Sequence, residues 1–183
     1  GPMEFCEVAS MAMELLGGRY MDEFYDDADT KRSNREHLEG IIHILAWAAN
    51  IDAFQHWLYE HPDHSPAERR QAWMGFYEQF GGQFMDWAEL TEVKAYLWHR
   101  QLHIFEIPFY YIEYGIAQLG ALQVWMNARR DPKKALADYR KGLALGGSRP
   151  LPELYKTAGI RFDFSESIVK PLVDAVYQEW RIM

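Results

Sequence analysis

Cysteine is almost missing from this chain: Cys6 is the only one in 183 residues. No intramolecular disulfide can form, and a reducing, cytoplasmic setting is expected. No apolar run approaches the ~20 residues a helix needs to cross a bilayer, so no membrane partner is expected. The opening Gly1-Pro2-Met3-Glu4 has neither the basic stretch nor the apolar stretch of a signal peptide. Lysine and arginine gather into no stripe and the formal net charge is −8. Nucleic acid is therefore not expected as a partner, because holding a phosphate backbone needs a basic cluster. No segment alternates apolar and polar residues long enough for a strand, and no repeat or low-complexity linker divides the chain. The phosphate-cradling glycine motifs and the G-x-S-x-G nucleophile motif are absent too.

What remains is rich in apolar (49%) and aromatic (15%) residues, enough for a packed core in one domain. The apolar residues recur at helical spacing. Phe5, Val8, Ala12, Leu15 and Leu16 make one stripe, which Gly17-Gly18 ends. A long helix is expected from about Asn34 to Tyr59, apolar on two sides and so suited to the middle of a bundle. Ser65-Pro66-Ala67-Glu68 combines an N-cap, an N1 proline and an N3 glutamate. Further helices are expected over 89–104, 109–128, after Asp131-Pro132, after Pro150 and from Ser165. The fold class is all-α, a multi-helix arrangement over residues 1–183 treated as a single domain.

Three groups of residues are candidates for chemistry. Glu7 and Glu14 lie seven apart, on one face of the first helix with Met11 between them. They read either as two solvated carboxylates or as a metal ligand with a supporting carboxylate. His99 and His103 stand at i, i+4, a spacing that can grip zinc on a helix. Arg100, however, occupies the place where a metalloprotease helix carries its general-base glutamate, so ordinary histidines are the expected reading. Tyr110 and Tyr114 would share a helical face that Ala117 and Ala121 continue as a shallow trough. Their phenols read either as core aromatics or as hydrogen-bond donors to a developing oxyanion. No HExxH occurs anywhere in the chain.

Two stretches carry a resemblance. Phe5-Cys6-Glu7-Val8-Ala9-Ser10-Met11-Ala12-Met13-Glu14-Leu15 resembles the segment that follows the active-site helix in zinc peptidases of the oligoendopeptidase F and thimet oligopeptidase type. His103 through Tyr114, continuing to Gln123, is similar to the family's substrate-facing His and Tyr segment. Leu145-Gly146-Gly147-Ser148 and Ala158-Gly159-Ile160 are similar to family tails. The resemblance implies a carboxyl-terminal portion of a helical peptidase that cuts short, unstructured peptides in a deep channel. It implies Glu7 as the third zinc ligand with Glu14 behind it, and His103, Tyr110 and Tyr114 as substrate-binding and oxyanion-steadying groups. The HExxH helix and the amino-terminal half of the peptidase would be missing. Since catalytic zinc needs three protein ligands, no tightly bound zinc and no activity are expected of this stretch alone. An apolar surface left open by the missing wall makes self-association an expectation as well. The other hypothesis is a non-catalytic helical module of the same fold that binds peptides or a partner protein.

Overall fold

A computed structural model describes residues 1–183. The chain forms nine α-helices joined by turns and three short 3-10 segments, with no strand. No helix is long and apolar enough to cross a membrane. By Cα proximity the residues fall into two compact units, Gly1–Ile42 with Ile116–Met183, and His43–Gly115.

The first unit opens with α1 (Met3–Gly17), whose Phe5, Val8, Ala12 and Leu15 are buried. That is the stripe the spacing predicts. The long helix α2 (Asp27–Glu60) starts seven residues before the expected Asn34. The Asp26 carboxylate accepts from the backbone N–H of Asp29 at 2.9 Å, and Asp27 and Asp29 lie in the first turn, where the helix dipole favours negative charge. About the first two turns are polar, so apolar periodicity is blind to them. Leu38 and Ile41 of α2 are buried in this unit.

The unit resumes on α6 (Ile112–Arg130), α7 (Pro132–Ala144), α8 (Leu151–Thr157) and α9 (Glu166–Ile182). Asp131 caps α7 by accepting from the Lys134 N–H at 3.0 Å. Two buried phenols tie helices to backbone: Tyr139 donates to the Ala9 carbonyl at 2.8 Å and Tyr155 to the Ile116 carbonyl at 3.2 Å. Burial holds both phenols protonated above the usual tyrosine range. Side chains of α6 also read the backbone of the turn after α8. The Gln123 carbonyl accepts from Arg161 N–H at 2.9 Å, and the Asn127 amide donates to the Gly159 carbonyl at 2.9 Å. Gly159 sits at φ 75°, in the left-handed region that glycine enters without steric cost.

The second unit is built on the later part of α2 and on α3 (Pro66–Gln79). α3 starts as the sequence predicts. Ser65 N–H donates to the Glu68 carboxylate at 2.8 Å, and Ser65 Oγ accepts from Glu68 N–H at 3.3 Å. The Ser65 N–H, and the Ser65 hydroxyl donating to the same carboxylate at 2.7 Å, hold the Glu68 carboxyl below its ordinary range. The core is aromatic: Phe54 and Trp73 are fully enclosed, with Trp98, Tyr77, Ile104 and Tyr111 around them. Trp73 meets Phe54 edge-on at 5.2 Å and Trp47 at 5.8 Å, geometries that favour aromatic pairs. Its indole N–H donates to the Lys94 carbonyl at 2.8 Å, and the largely buried Lys94 ammonium pairs with Glu78.

The single helix expected over 89–104 is not formed. That stretch breaks into α4 (Thr91–Ala95), a 3-10 turn (Leu97–Arg100) and α5 (His103–Glu106). The break follows the buried side chains: Trp98 and Ile104 both turn into the core, which one regular helix carrying them six residues apart would not arrange, since six steps rotate a side chain by about 600°.

The packing of α6 yields a paired test. A Cβ on Gly120 would lie 2.9 Å from both Val8 Cγ2 and the Tyr155 hydroxyl. On Gly40, in α2, it would meet nothing within 4 Å. Gly40→Ala should stabilise the chain by about 0.5–1 kcal/mol through helix propensity alone. Gly120→Ala should instead destabilise it by on the order of 1 kcal/mol, the overpacking outweighing the same propensity gain. Urea unfolding midpoints decide it, and a gain at both positions would contradict the packing described for α6.

Candidate active site

The residues between Trp98 and Tyr114 form the densest gathering of polar aromatic side chains in the second unit. His103 opens α5 and is half-buried. Its ring stacks on Tyr110 at 5.7 Å and meets Tyr111 and Tyr114 edge-on at 5.0 and 5.8 Å. Tyr110 and Tyr114 touch each other at 5.4 Å. His103 Nε2 lies 3.5 Å from the Tyr114 hydroxyl, and His103 Nδ1 lies 2.8 Å from the Gln101 side-chain nitrogen. Gln101 Oε1 in turn accepts from the Trp47 indole N–H at 3.0 Å. The structure thus brings together His103, Tyr110 and Tyr114 from the sequence candidates, and adds Gln101, Trp47 and Tyr111.

The local backbone explains how. Pro108 and Phe109 do not open a helix as the sequence reading expects; α6 starts at Ile112. Phe109 has φ 62°, rare for a bulky residue and costly by about 1–3 kcal/mol. Side chains of α2 hold it there: Gln55 Oε1 accepts from Phe109 N–H at 3.3 Å, while His56 and Tyr59 pack on the Phe109 ring at 4.9 and 5.0 Å. The turn sets Tyr110 and Tyr111 ahead of the helix, so that both, with Tyr114, face His103. One expectation is corrected here: Ala117 and Ala121 form no trough, being fully buried.

The two histidines do not share the helix expected over 89–104. His99 belongs to the 3-10 turn and His103 to α5, so the two are not on successive turns of one helix. His99 lies instead against Trp98 at 4.0 Å and Tyr96 at 5.3 Å.

Glu7 and Glu14 lie on α1, in the first unit. Glu7 is half-buried and its Oε2 accepts from the Ser10 hydroxyl at 3.0 Å. Glu14 is exposed, with Oε2 3.4 Å from His37 Nε2. No three His, Cys, Asp or Glu side chains of the chain gather into a set that could hold a metal ion. Glu7 nevertheless fits as one oxygen donor, a carboxylate steadied by a neighbouring hydroxyl in the way ligating carboxylates are.

Comparison with known proteins gives consistent matches. The family model described as Peptidase family M3 matches residues 1–173. A crystal structure of a protein provisionally named oligoendopeptidase F is 34% identical at a TM-score of 0.90, over 98% of this chain and 32% of that one. PZ peptidase A, solved with an inhibitor, is 31% identical at a TM-score of 0.90, over 98% of this chain and 32% of that one. A protein from Bacillus anthracis, also provisionally named oligoendopeptidase F, is 30% identical at a TM-score of 0.76, over 99% of this chain and 29% of that one. The chain therefore spans about a third of the length of the solved structures it matches. No curated protein matches it.

Burial makes Tyr111 a probe of this cluster. Desolvation, and to a lesser degree the neighbouring Tyr114, push its phenol above the ordinary value of 10.0, against weaker opposing effects of Arg100 and Trp47. The folded chain therefore keeps a proton that the unfolded chain releases first. That stability is fully present below pH 10 and is lost as pH rises through the folded value. The urea midpoint should fall from about pH 10 upward, and fall less for Tyr111→Phe than for the wild type. Parallel declines for the two proteins would mean that Tyr111 is not desolvated by the cluster.

Proposed function

The chain belongs to peptidase family M3, and from that premise we propose that it is the carboxyl-terminal part of a zinc-dependent oligoendopeptidase that hydrolyses short, unstructured peptides. On this reading residues 1–183 are one helical domain within a larger catalytic domain of a cytoplasmic enzyme. The observation that carries it is the His103–Tyr110–Tyr114 cluster, held together by a strained turn in a chain about 30% identical to structures three times its length. Strain that the surroundings maintain is characteristic of functional sites.

The zinc would take one oxygen from Glu7, with Glu14 behind it. The remaining ligands and the general base would come from the amino-terminal part of the longer peptidase, since the present sequence holds no HExxH. Bound there, the metal supplies an activated water and polarises the peptide carbonyl. The chain's own residues do the rest. His103, Tyr110 and Tyr114 bind the substrate backbone and donate hydrogen bonds where negative charge develops on the carbonyl oxygen. With one ligand of three, this stretch alone neither retains zinc tightly nor cleaves peptides. It exposes the apolar side chains of Phe84, Met85, Leu90, Val93, Leu102 and Phe105, through which isolated chains would self-associate.

Glu7→Gln in the longer peptidase tests the metal assignment. The amide keeps the shape and loses the charged oxygen. Zinc content after dialysis and peptide hydrolysis should both collapse, while the melting temperature of the metal-free protein stays within about 1 °C, as for a half-exposed isosteric change. Loss of metal-free stability with zinc still bound would refute the assignment.

A further inference from the structure

We infer that Trp47 and Gln101 are positioning residues that hold His103 in the Nε2–H tautomer, so that the histidine–tyrosine cluster offers hydrogen-bond donors to an oxygen acceptor. Bond polarity alone sets the tautomer, whatever the reaction. An indole N–H can only donate. Trp47 Nε1 lies 3.0 Å from the Gln101 side chain, so the group facing it must be the amide oxygen. The other end of that amide is then fixed as NH₂, and it lies 2.8 Å from His103 Nδ1. A nitrogen facing that donor at this distance must accept, which leaves Nδ1 without a proton. In the neutral ring the proton is on Nε2, which faces Tyr114.

Two rearrangements would undo this, and both are opposed. Rotating the Gln101 amide by half a turn would set its NH₂ against the Trp47 N–H, donor against donor. Trp47 cannot swing away freely: its ring meets Trp73 edge-on at 5.8 Å and Tyr77 at 6.3 Å, and stacks on His43 at 6.3 Å. Turning the His103 ring over would place carbon where both nitrogens now sit and forfeit both contacts. Relays of this kind are how a second residue fixes which nitrogen of a histidine carries the proton.

The functional consequence rests on the reading proposed above. The Nε2–H to Tyr114 separation of 3.5 Å is long for a hydrogen bond, so the N–H is only lightly engaged and is available to an incoming acceptor. Because His103 donates toward Tyr114, the Tyr114 proton is free to point elsewhere. His103 Nε2 and the Tyr114 hydroxyl, 3.5 Å apart, can then both donate to an acceptor that comes within reach of the two. That suits a peptide carbonyl or carboxylate oxygen and disfavours an amine or an amide N–H.

The test is long-range proton–nitrogen NMR on the 183-residue chain with labelled histidine, at neutral pH, His103 being identified by its absence from His103→Asn. The wild type should show a protonated Nε2 and a bare Nδ1; a protonated Nδ1 overturns the inference. Gln101→Glu replaces the donor by a carboxylate that only accepts, so the proton should move to Nδ1. An unchanged tautomer in a variant with wild-type helical content overturns the role of Gln101. Should that variant lose its helical content, Trp47→Phe replaces it. Without the indole N–H the amide can rotate, and a mixture of tautomers is expected, whereas a pure Nε2–H form overturns the relay. Failure of the peptidase reading looks different. A Gln101→Glu chain whose proton moves to Nδ1, alongside a Gln101→Glu peptidase of unchanged kcat and KM, supports the relay and removes His103 from the reaction.

Discussion

The direction of one indole N–H governs much of the second unit. Trp47 is wedged edge-on against Trp73, which is itself fully enclosed by Phe54 and its neighbours. The aromatic core therefore does more than withdraw apolar area from water. It fixes a donor at the border of the core, and that donor orders Gln101 and, through it, His103. A partly buried polar network carries this kind of leverage because each bond left unmade costs up to about 1–3 kcal/mol as water is excluded. The same unit keeps Phe109 in a left-handed conformation with bonds and ring contacts from α2. Core packing, a polar relay and a strained turn thus converge on three side chains.

Much of the fold was legible in the sequence because its signals are local. The stripe from Phe5 to Leu15, the capping box at Ser65 and the Asp131 cap all specify helix starts or buried faces within a few residues, and the structure has them. The beginning of α2 was not legible from apolar spacing, since its first turns are polar and depend on the Asp26 cap. The stretch 89–111 misled for the opposite reason. Its dense aromatics fit a helical rhythm on paper, but tertiary burial of Trp98, Ile104 and Tyr111 outweighs local propensity.

The candidate site shows the same division. His103, Tyr110 and Tyr114 were found through the resemblance of their segment, and the structure groups them. Gln101 and Trp47 were not found: one looked like filler between two histidines, the other like part of an apolar stripe on α2. Only the fold brings residues 54 positions apart into one hydrogen bond. Gln55 and Phe109 were missed likewise: Pro108 marks a break between helices, but the positive φ of Phe109 depends on contacts from α2. Glu7 was found through the resemblance, and the structure adds the hydrogen bond it accepts from the Ser10 hydroxyl.

The central claim is that the Tyr114 hydroxyl acts on substrate in the transition state and does not merely pack. Tyr114→Phe in the longer peptidase tests it directly, because the change removes one oxygen and leaves the ring. Tyr139→Phe serves as the comparison, since that hydroxyl bonds to the Ala9 carbonyl. The Tyr114 variant should lose ~10²–10³ in kcat with little change in KM, about 2.7–4 kcal/mol of transition-state stabilisation. The Tyr139 variant should keep its rate and lose about 1 kcal/mol of stability. A Tyr114 variant that turns over at the wild-type rate and is merely less stable would contradict the account.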